Sequence, residues 1–388
     1  MYRIKTMNKI SPVGLQTFDD ERYLVGSEIT DEHAILVRSA KLHDYEMPKS
    51  LLAIARAGSG VNNIPIDRCS EAGIAVFSTP GANANAVKEL VLCGMLMASR
   101  DVTGSIKWVK DQVESGVEVA NVVEKGKSAF VGPELYKKTL GVIGLGAIGS
   151  LVANVALELG MDVYGYDPFL SVDAALRLDR HVHVVKDIAE LYKRADYITI
   201  HIHYTDQTRH MINAEAIGKM KRGVRFINLA RGEIVEDEAM LSALDTGKVA
   251  AYVTDFPNNK LVRAPHVVAM PHLGASTPES EQNCAAMAVD ELKDYLENGN
   301  IKNSVNFPNV HMDRSGVQRL CIVNRNIPAM LANITALLAK DHVNVENMTN
   351  KSRGDYAYTM VDLGAKVDEK VIQDVMSLDG VIRVRVIE

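Results

Sequence analysis

Cysteine is scarce in this chain. Four occur among 388 residues, at positions 69, 93, 284 and 321, with no C-x-x-C pair and no histidine cluster at ligand spacing. Neither a disulfide framework nor a metal site is expected, and each thiol reads as a small buried apolar group. Excess positive charge is missing as well. Lys and Arg number 43 against 49 Asp and Glu, a formal net charge of -6 at pH 7. A nucleic-acid partner would call for a basic face, so none is expected. The longest apolar run, LVLCGMLMA at 90–98, is too short to span a bilayer, which argues against a membrane partner. The opening MYRIKTMNKI is basic but lacks the apolar core of a signal peptide, so a cytoplasmic location is expected.

What is present is an α/β pattern long enough for two or three domains. Short apolar runs at 34–39, 51–58 and 74–79 read as strands, and 84–100 as a long helix. Further strands are expected at 140–143, 162–167, 197–202, 224–230, 249–255 and 267–272, which predicts parallel βαβ architecture. An amphipathic helix is expected at 276–299, followed by a polar linker. From 317 onward the order changes to strand, helix (328–341), two strands, helix and strand, which is ferredoxin-like.

The most informative stretch is 139–167, TLGVIGLGAIGSLVANVALELGMDVYGYD. Gly144, Gly146 and Gly149 form G-x-G-x-x-G directly after an apolar run. The first permits a tight turn, the second lets backbone approach a pyrophosphate, and the third lets helix and strand pack closely. Asp167 ends the next strand, where a carboxylate accepts from ribose hydroxyls and repels a 2′-phosphate, so the unit reads as NAD-binding.

Two later strand ends carry chemistry. Arg231 follows Asn228-Leu229-Ala230, and His272 lies in Met270-Pro271-His272-Leu273-Gly274-Ala275. A guanidinium binds a carboxylate through two hydrogen bonds, and an imidazole takes a hydroxyl proton near neutral pH. Arg38-Ser39 and Arg56-Ala57-Gly58-Ser59-Gly60 end two earlier strands and suit an anionic substrate tail, phosphate above all.

The segments ARAGSGVNNI (55–64), STPGANANAVKEL (78–90), TLGVIGLGAIG (139–149), INLARGEIV (227–235) and PHLGAST (271–277) run in one order. Together they resemble the D-2-hydroxyacid dehydrogenase family, and the tail resembles an ACT domain. The resemblance implies a Rossmann-type NAD-binding domain at 86–275 and a discontinuous flavodoxin-like substrate domain at 1–85 with 276–303. A linker at 304–315 and a ferredoxin-like (βαββαβ) ACT domain at 316–388 would follow. The activity implied is NAD-dependent oxidation of 3-phospho-D-glycerate to 3-phosphohydroxypyruvate, on the way to L-serine. Alternatives are reduction of glyoxylate or hydroxypyruvate, or NAD sensing without catalysis.

Carried onto matching positions, Arg231 binds substrate and His272 accepts the proton. Ala147, Ile148, Asp167, Ala230, Asp255 and Gly274 fall at the coenzyme together with the three glycines, and Ser59 joins them from the substrate side. Arg38, Ser39, Arg56, Gly58, Asn83 and Asn85 fall at the substrate. Three departures stand out. Relatives place a glutamate beyond the Asp255-Phe256-Pro257 strand end; Asn259 is the expected occupant here and supplies no charge to an imidazolium. His201 and His203 stand where a proline is usual, and read as lining near the adenine rather than a metal pair. In the ACT segment, Asn326 and Asn344 match the residues that hold an amino-acid effector, while Asn324 and Ala329 do not. Assembly as a homodimer or homotetramer is implied.

Overall fold

The three N-terminal apolar runs become β3 (Ala34–Val37), β4 (Ala53–Arg56) and β5 (Ala75–Ser78) of a five-stranded parallel sheet, which β1 (Tyr2–Met7) and β2 (Tyr23–Gly26) complete in the order β2-β1-β3-β4-β5. Every residue of β3 and β5 is buried, as parallel strands covered on both faces require. The computed structural model describes residues 1–340 and 342–388. They divide into two units, 1–83 with 278–388, and 84–277.

The helix Pro278–Asn298 covers the first sheet with Cys284, Ala285, Ala288, Leu292, Tyr295 and Leu296, a buried stripe at helical spacing. Gly14 permits its close approach. A Cβ there would stand 2.6 Å from the Ala285 carbonyl carbon.

The second unit holds a seven-stranded parallel sheet of β6 (Thr139–Ile143), β7 (Asp162–Tyr166), β8 (His183–Val185), β9 (Tyr197–Ile200), β10 (Val224–Asn228), β11 (Val249–Thr254) and β12 (Val267–Ala269). Its order is β12-β11-β10-β9-β6-β7-β8. The chain runs outward from β6 in one direction through β7 and β8, then returns to β9 on the other side. That reversal creates the crevice at the carboxyl ends where doubly wound sheets bind nucleotides.

The C-terminal segment adds β13 (Gln318–Arg325), β14 (Val345–Arg353), β15 (Tyr356–Leu363) and β16 (Val381–Ile387), ordered β14-β15-β13-β16 and antiparallel. With helices Met330–Lys340 and Glu369–Met376 this is the expected ferredoxin-like arrangement. Residue 341, included in the expected helix, lies outside the described residues.

Residues 304–315 do not span open space as a linker. Phe307, Val310 and Met312 are buried, and the Asn306 side chain accepts from Val76 N and donates to Ile74 O and Ser70 Oγ. Nor does the last sheet stand apart. Cys321, Val323, Tyr358, Met360 and Ile387 share one core with Phe77, Tyr295 and Phe307. Polar composition suggested a loop, but these polar side chains satisfy buried backbone groups instead. At this seam Arg319 and Asp362 form a fully buried ion pair, Nε to Oδ1 at 2.5 Å. Arg319 also donates to the carbonyls of Asn298, Met312 and Asp313.

Candidate active site

The glycine turn follows β6 as its sequence requires. Gly144 has φ +88, and a Cβ there would meet the His201 carbonyl oxygen at 2.5 Å. A Cβ on Gly149 would stand 1.8 Å from Gly144 O, so helix Ala147–Glu158 can lie against the turn only with glycine. Gly146 differs. It caps that helix with φ -69, and a Cβ would meet nothing within 4 Å. The space beside the helix start, flanked by Ala147 and Ile148, is therefore open, as a pyrophosphate cradle must be. Asp167 is fixed beside it, with Oδ2 accepting from Leu145 N and Oδ1 from Phe169 N, both at 2.9 Å.

Arg231 is presented by Asn228, the buried last residue of β10. Its amide accepts from Ala230 N at 3.1 Å and donates to Arg231 O at 2.9 Å, closing the turn. The guanidinium lies 5.7 Å from the Phe256 ring centroid, and Nη1 donates to Ala230 O. The His272 ring lies 4.7 Å from the same centroid. Two side chains far apart in sequence thus meet on one aromatic ring.

Asp255 sets the His272 turn from below. Its carbonyl accepts from His272 N at 2.8 Å, and its Oδ2 accepts from Gly274 N at 3.0 Å. His272 itself adopts φ +29, a strained value for a residue with a Cβ. Burial pushes the Asp255 carboxyl above the usual range. The Gly274 N–H and the charges of His272 and Arg231 pull it partly back. Its Oδ1 is buried with no partner among the described residues. A free acceptor at a strand end and an open helix start both fit a coenzyme that carries amide, hydroxyl and phosphate groups.

Asn259 does not take up the expected post. It is exposed, and no hydrogen bond joins it to His272 among the described residues. Its neighbour Asn258 organises the loop, donating to Asp237 Oδ2 at 2.6 Å and accepting from Lys260 N and Leu261 N. His201 is held by its own strand. Burial pushes it down to about 3, so its ring is neutral, and Nε2 pairs with Thr199 Oγ1 at 3.0 Å. No metal-binding group of His, Cys, Asp and Glu occurs among the described residues.

In the other unit, Arg38 and Arg56 flank the ends of β3 and β4. Arg56 donates to Arg38 O and Gly60 O, and would collide with a Cβ on Gly58 at 2.9 Å, so it shapes the 58–60 loop around Ser59. Ser39 N donates to Asn8 Oδ1. Asn83 keeps a buried Oδ1 without a partner among the described residues, whereas Asn85 is tied to Glu89 and Lys88 on its own helix. Asn326 and Asn344 do not meet. The first donates to Gly354 O near the Arg325–Tyr356 end of the sheet; the second accepts from Gly364 N near the Gln318–Leu363 end. Ala329 has φ +66, so it holds a conformation that favours glycine.

Asn228, Phe256 and Asn258 were missed by sequence reasoning. An amide at the tip of an apolar strand was a usable signal for Asn228; nothing in the pattern marked Phe256.

The sheet order, the glycine turn and the arginine–histidine pair define a nicotinamide-dependent dehydrogenase scaffold, and the chain belongs to the D-isomer specific 2-hydroxyacid dehydrogenases. Residues 92–274 match that family's NAD binding domain. The chain is 34% identical over 350 residues to D-3-phosphoglycerate dehydrogenase of Methanocaldococcus jannaschii, covering 88% of this chain and 64% of that one. It thus spans less than two thirds of that relative, and 60% and 55% of the Bacillus subtilis and Synechocystis proteins of the same name. With D-3-phosphoglycerate dehydrogenase of Haemophilus influenzae it shares 30% identity over 375 residues, 92% of this chain and 87% of the relative. Among solved structures, the NAD+-bound 3-phosphoglycerate dehydrogenase of Entamoeba histolytica matches with a TM-score of 0.62 and 26% identity, over 79% of this chain and 98% of that one.

Proposed function

We propose that this chain oxidises 3-phospho-D-glycerate to 3-phosphohydroxypyruvate with NAD. The observation that carries this reading is the shared packing of Arg231 and His272 on Phe256, above the buried carboxyl of Asp255. When bound, NAD supplies the hydride-accepting ring. Gly144, Gly146, Gly149, Ala147 and Ile148 would hold its pyrophosphate, Asp167 its ribose, and Ser59, Ala230, Asp255 and Gly274 would supply its remaining contacts. Arg231 binds the substrate carboxylate and polarises the neighbouring C2 oxygen. His272 takes the proton of the C2 hydroxyl. Among the described residues no hydrogen bond or ion pair joins His272 to a glutamate, and the residue that holds its turn is Asp255, whose carbonyl accepts from His272 N and whose carboxyl accepts from Gly274 N. Arg38, Ser39 and Asn83 receive the phosphate end, with Arg56 and Gly58 shaping the loop around them.

We also read the chain as a homo-oligomer. Helix Val102–Glu114 buries no residue and exposes Val102, Ile106, Val109 and Val113 in one stripe. The C-terminal domain is read as a module for assembly or for an amino-acid effector, with Asn326 and Asn344, at opposite ends of its sheet, as separate candidate contacts. The test is NADH formation at alkaline pH from 3-phospho-D-glycerate, with D-glycerate and D-lactate as controls. Turnover restricted to the phosphorylated acid supports the reading. Turnover of D-lactate alone, or none with any acid despite NADH binding, overturns it.

A further inference from the structure

The ends of β3 and β4 lie side by side, since Val37 pairs with Arg56, and two arginines issue from them. Their surroundings differ. Arg56 is engaged with the backbone, holding Arg38 O and Gly60 O. Arg38 has a single ion-pair partner among the described residues, Glu281, with Nη2 2.8 Å from Oε1. Both side chains are partly open to solvent, at 40% and 41% exposure. Glu281 belongs to the first turn of helix Pro278–Asn298, where the helix dipole favours a carboxylate. One turn further on, the buried Cys284 thiol feels the charges of both Arg38 and Arg56. The cation assigned to the substrate's anionic tail is therefore already held by an anion of the chain.

We propose that Glu281 is a built-in competitor for the substrate tail: its carboxylate holds Arg38 in the free chain and yields it to a phosphate, so residue 281 sets the preference for phosphorylated over uncharged tails. This deepens the reading that the strand-end arginines receive the substrate's anionic end. The physics is a comparison of anions. A phosphate monoester carries more charge than a carboxylate and offers three acceptor oxygens to the planar guanidinium. It displaces Glu281, whose half-exposed pair is weak and screened by salt. An uncharged tail offers Arg38 nothing that repays breaking the pair. Selectivity thus comes from the contact that must be broken as much as from the one that forms.

The test compares the parent with Glu281→Gln, Arg38→Gln and the double variant. Inorganic phosphate is titrated against thermal unfolding, and KM is measured for 3-phospho-D-glycerate and D-glycerate. Glu281→Gln is expected to tighten phosphate binding about two- to fivefold, the range set by exposed ion pairs. Its preference for the phosphorylated acid over D-glycerate rises by the same factor, and the gain disappears when Arg38 is replaced. Phosphate binding that is unchanged or weaker in Glu281→Gln overturns the proposal, as does a gain that persists without Arg38. The phosphate titration needs no turnover. A parent that fails to oxidise 3-phospho-D-glycerate would sink the functional reading while leaving this inference to be decided by phosphate alone.

Discussion

Buried charge sets the energetics at the scale of single residues. Burial alone would push the Asp362 carboxyl up; hydrogen bonds from Arg319 and Ser315 outweigh it and hold it below the usual range. Asp362→Asn leaves the fully buried guanidinium uncompensated and is expected to cost about 3–5 kcal/mol in urea unfolding. A loss under about 1 kcal/mol would contradict this account of the seam. Glu291 shows the opposite shift. It is buried, Oε1 accepts from Asn303 Nδ2 at 2.7 Å, and Oε2 has no partner among the described residues. Burial pushes its carboxyl up to about 8, against the pull of Asn303 and Lys302. The folded chain then keeps a proton that the unfolded chain releases near pH ~4.3, so this residue makes stability fall as pH rises from there toward 8. Glu291→Gln is expected to gain on the parent as pH climbs from 6 to 8.5, roughly the upper part of that window. A pH-independent difference would reject it. The same scale shows where sequence reading fell short. The places of Arg231, His272, Asp167 and the glycines at strand ends and turns were legible, because apolar runs and spacing mark them. The exposed setting of Asn259 was not legible, because neighbours in sequence cannot reveal that Asn258, bonded to Asp237, turns the loop.

At the scale of elements, the central strands were readable as continuous apolar runs, but β1 and β2 were not. In β1, Arg3 and Lys5 alternate with Ile4, and their side chains reach Asp31 O and Ile29 O in the segment between β2 and β3, so charge masked the strand. The turn after β6 gives a clean separation of stability from binding. A Cβ on Gly144 or Gly149 collides with backbone, whereas one on Gly146 meets only open space at a permitted φ. Gly146→Ala is therefore expected to unfold at the parent's temperature while NADH affinity, read by fluorescence, falls at least about tenfold. Unchanged affinity would mean that the phosphates do not rest there.

Across the whole molecule, the order of βαβ units and the ferredoxin-like tail were legible, because periodicity survives in the sequence. The fusion of the tail with the first unit was not, since it rests on the buried Arg319, Asp362 and Arg385, charged residues that no sequence pattern marks as interior. Arg385 stacks on Tyr295, 4.3 Å from its centroid, and donates to Tyr295 O and Leu296 O, so the last strand completes the first unit's core. The exposed stripe on helix Val102–Glu114 makes a further claim at this scale. Ile106→Asp is expected to lower the oligomeric mass in light scattering, and an unchanged mass would place the subunit contact elsewhere.

The proposed oxidation rests on His272 as the proton acceptor beside Arg231. The most direct measurement is kcat for 3-phospho-D-glycerate oxidation in His272→Asn, with NADH binding measured on the same sample. We expect kcat to drop by about 10²–10⁴ with NADH affinity retained. Turnover within a few-fold of the parent would contradict the assignment and the chemistry built on it.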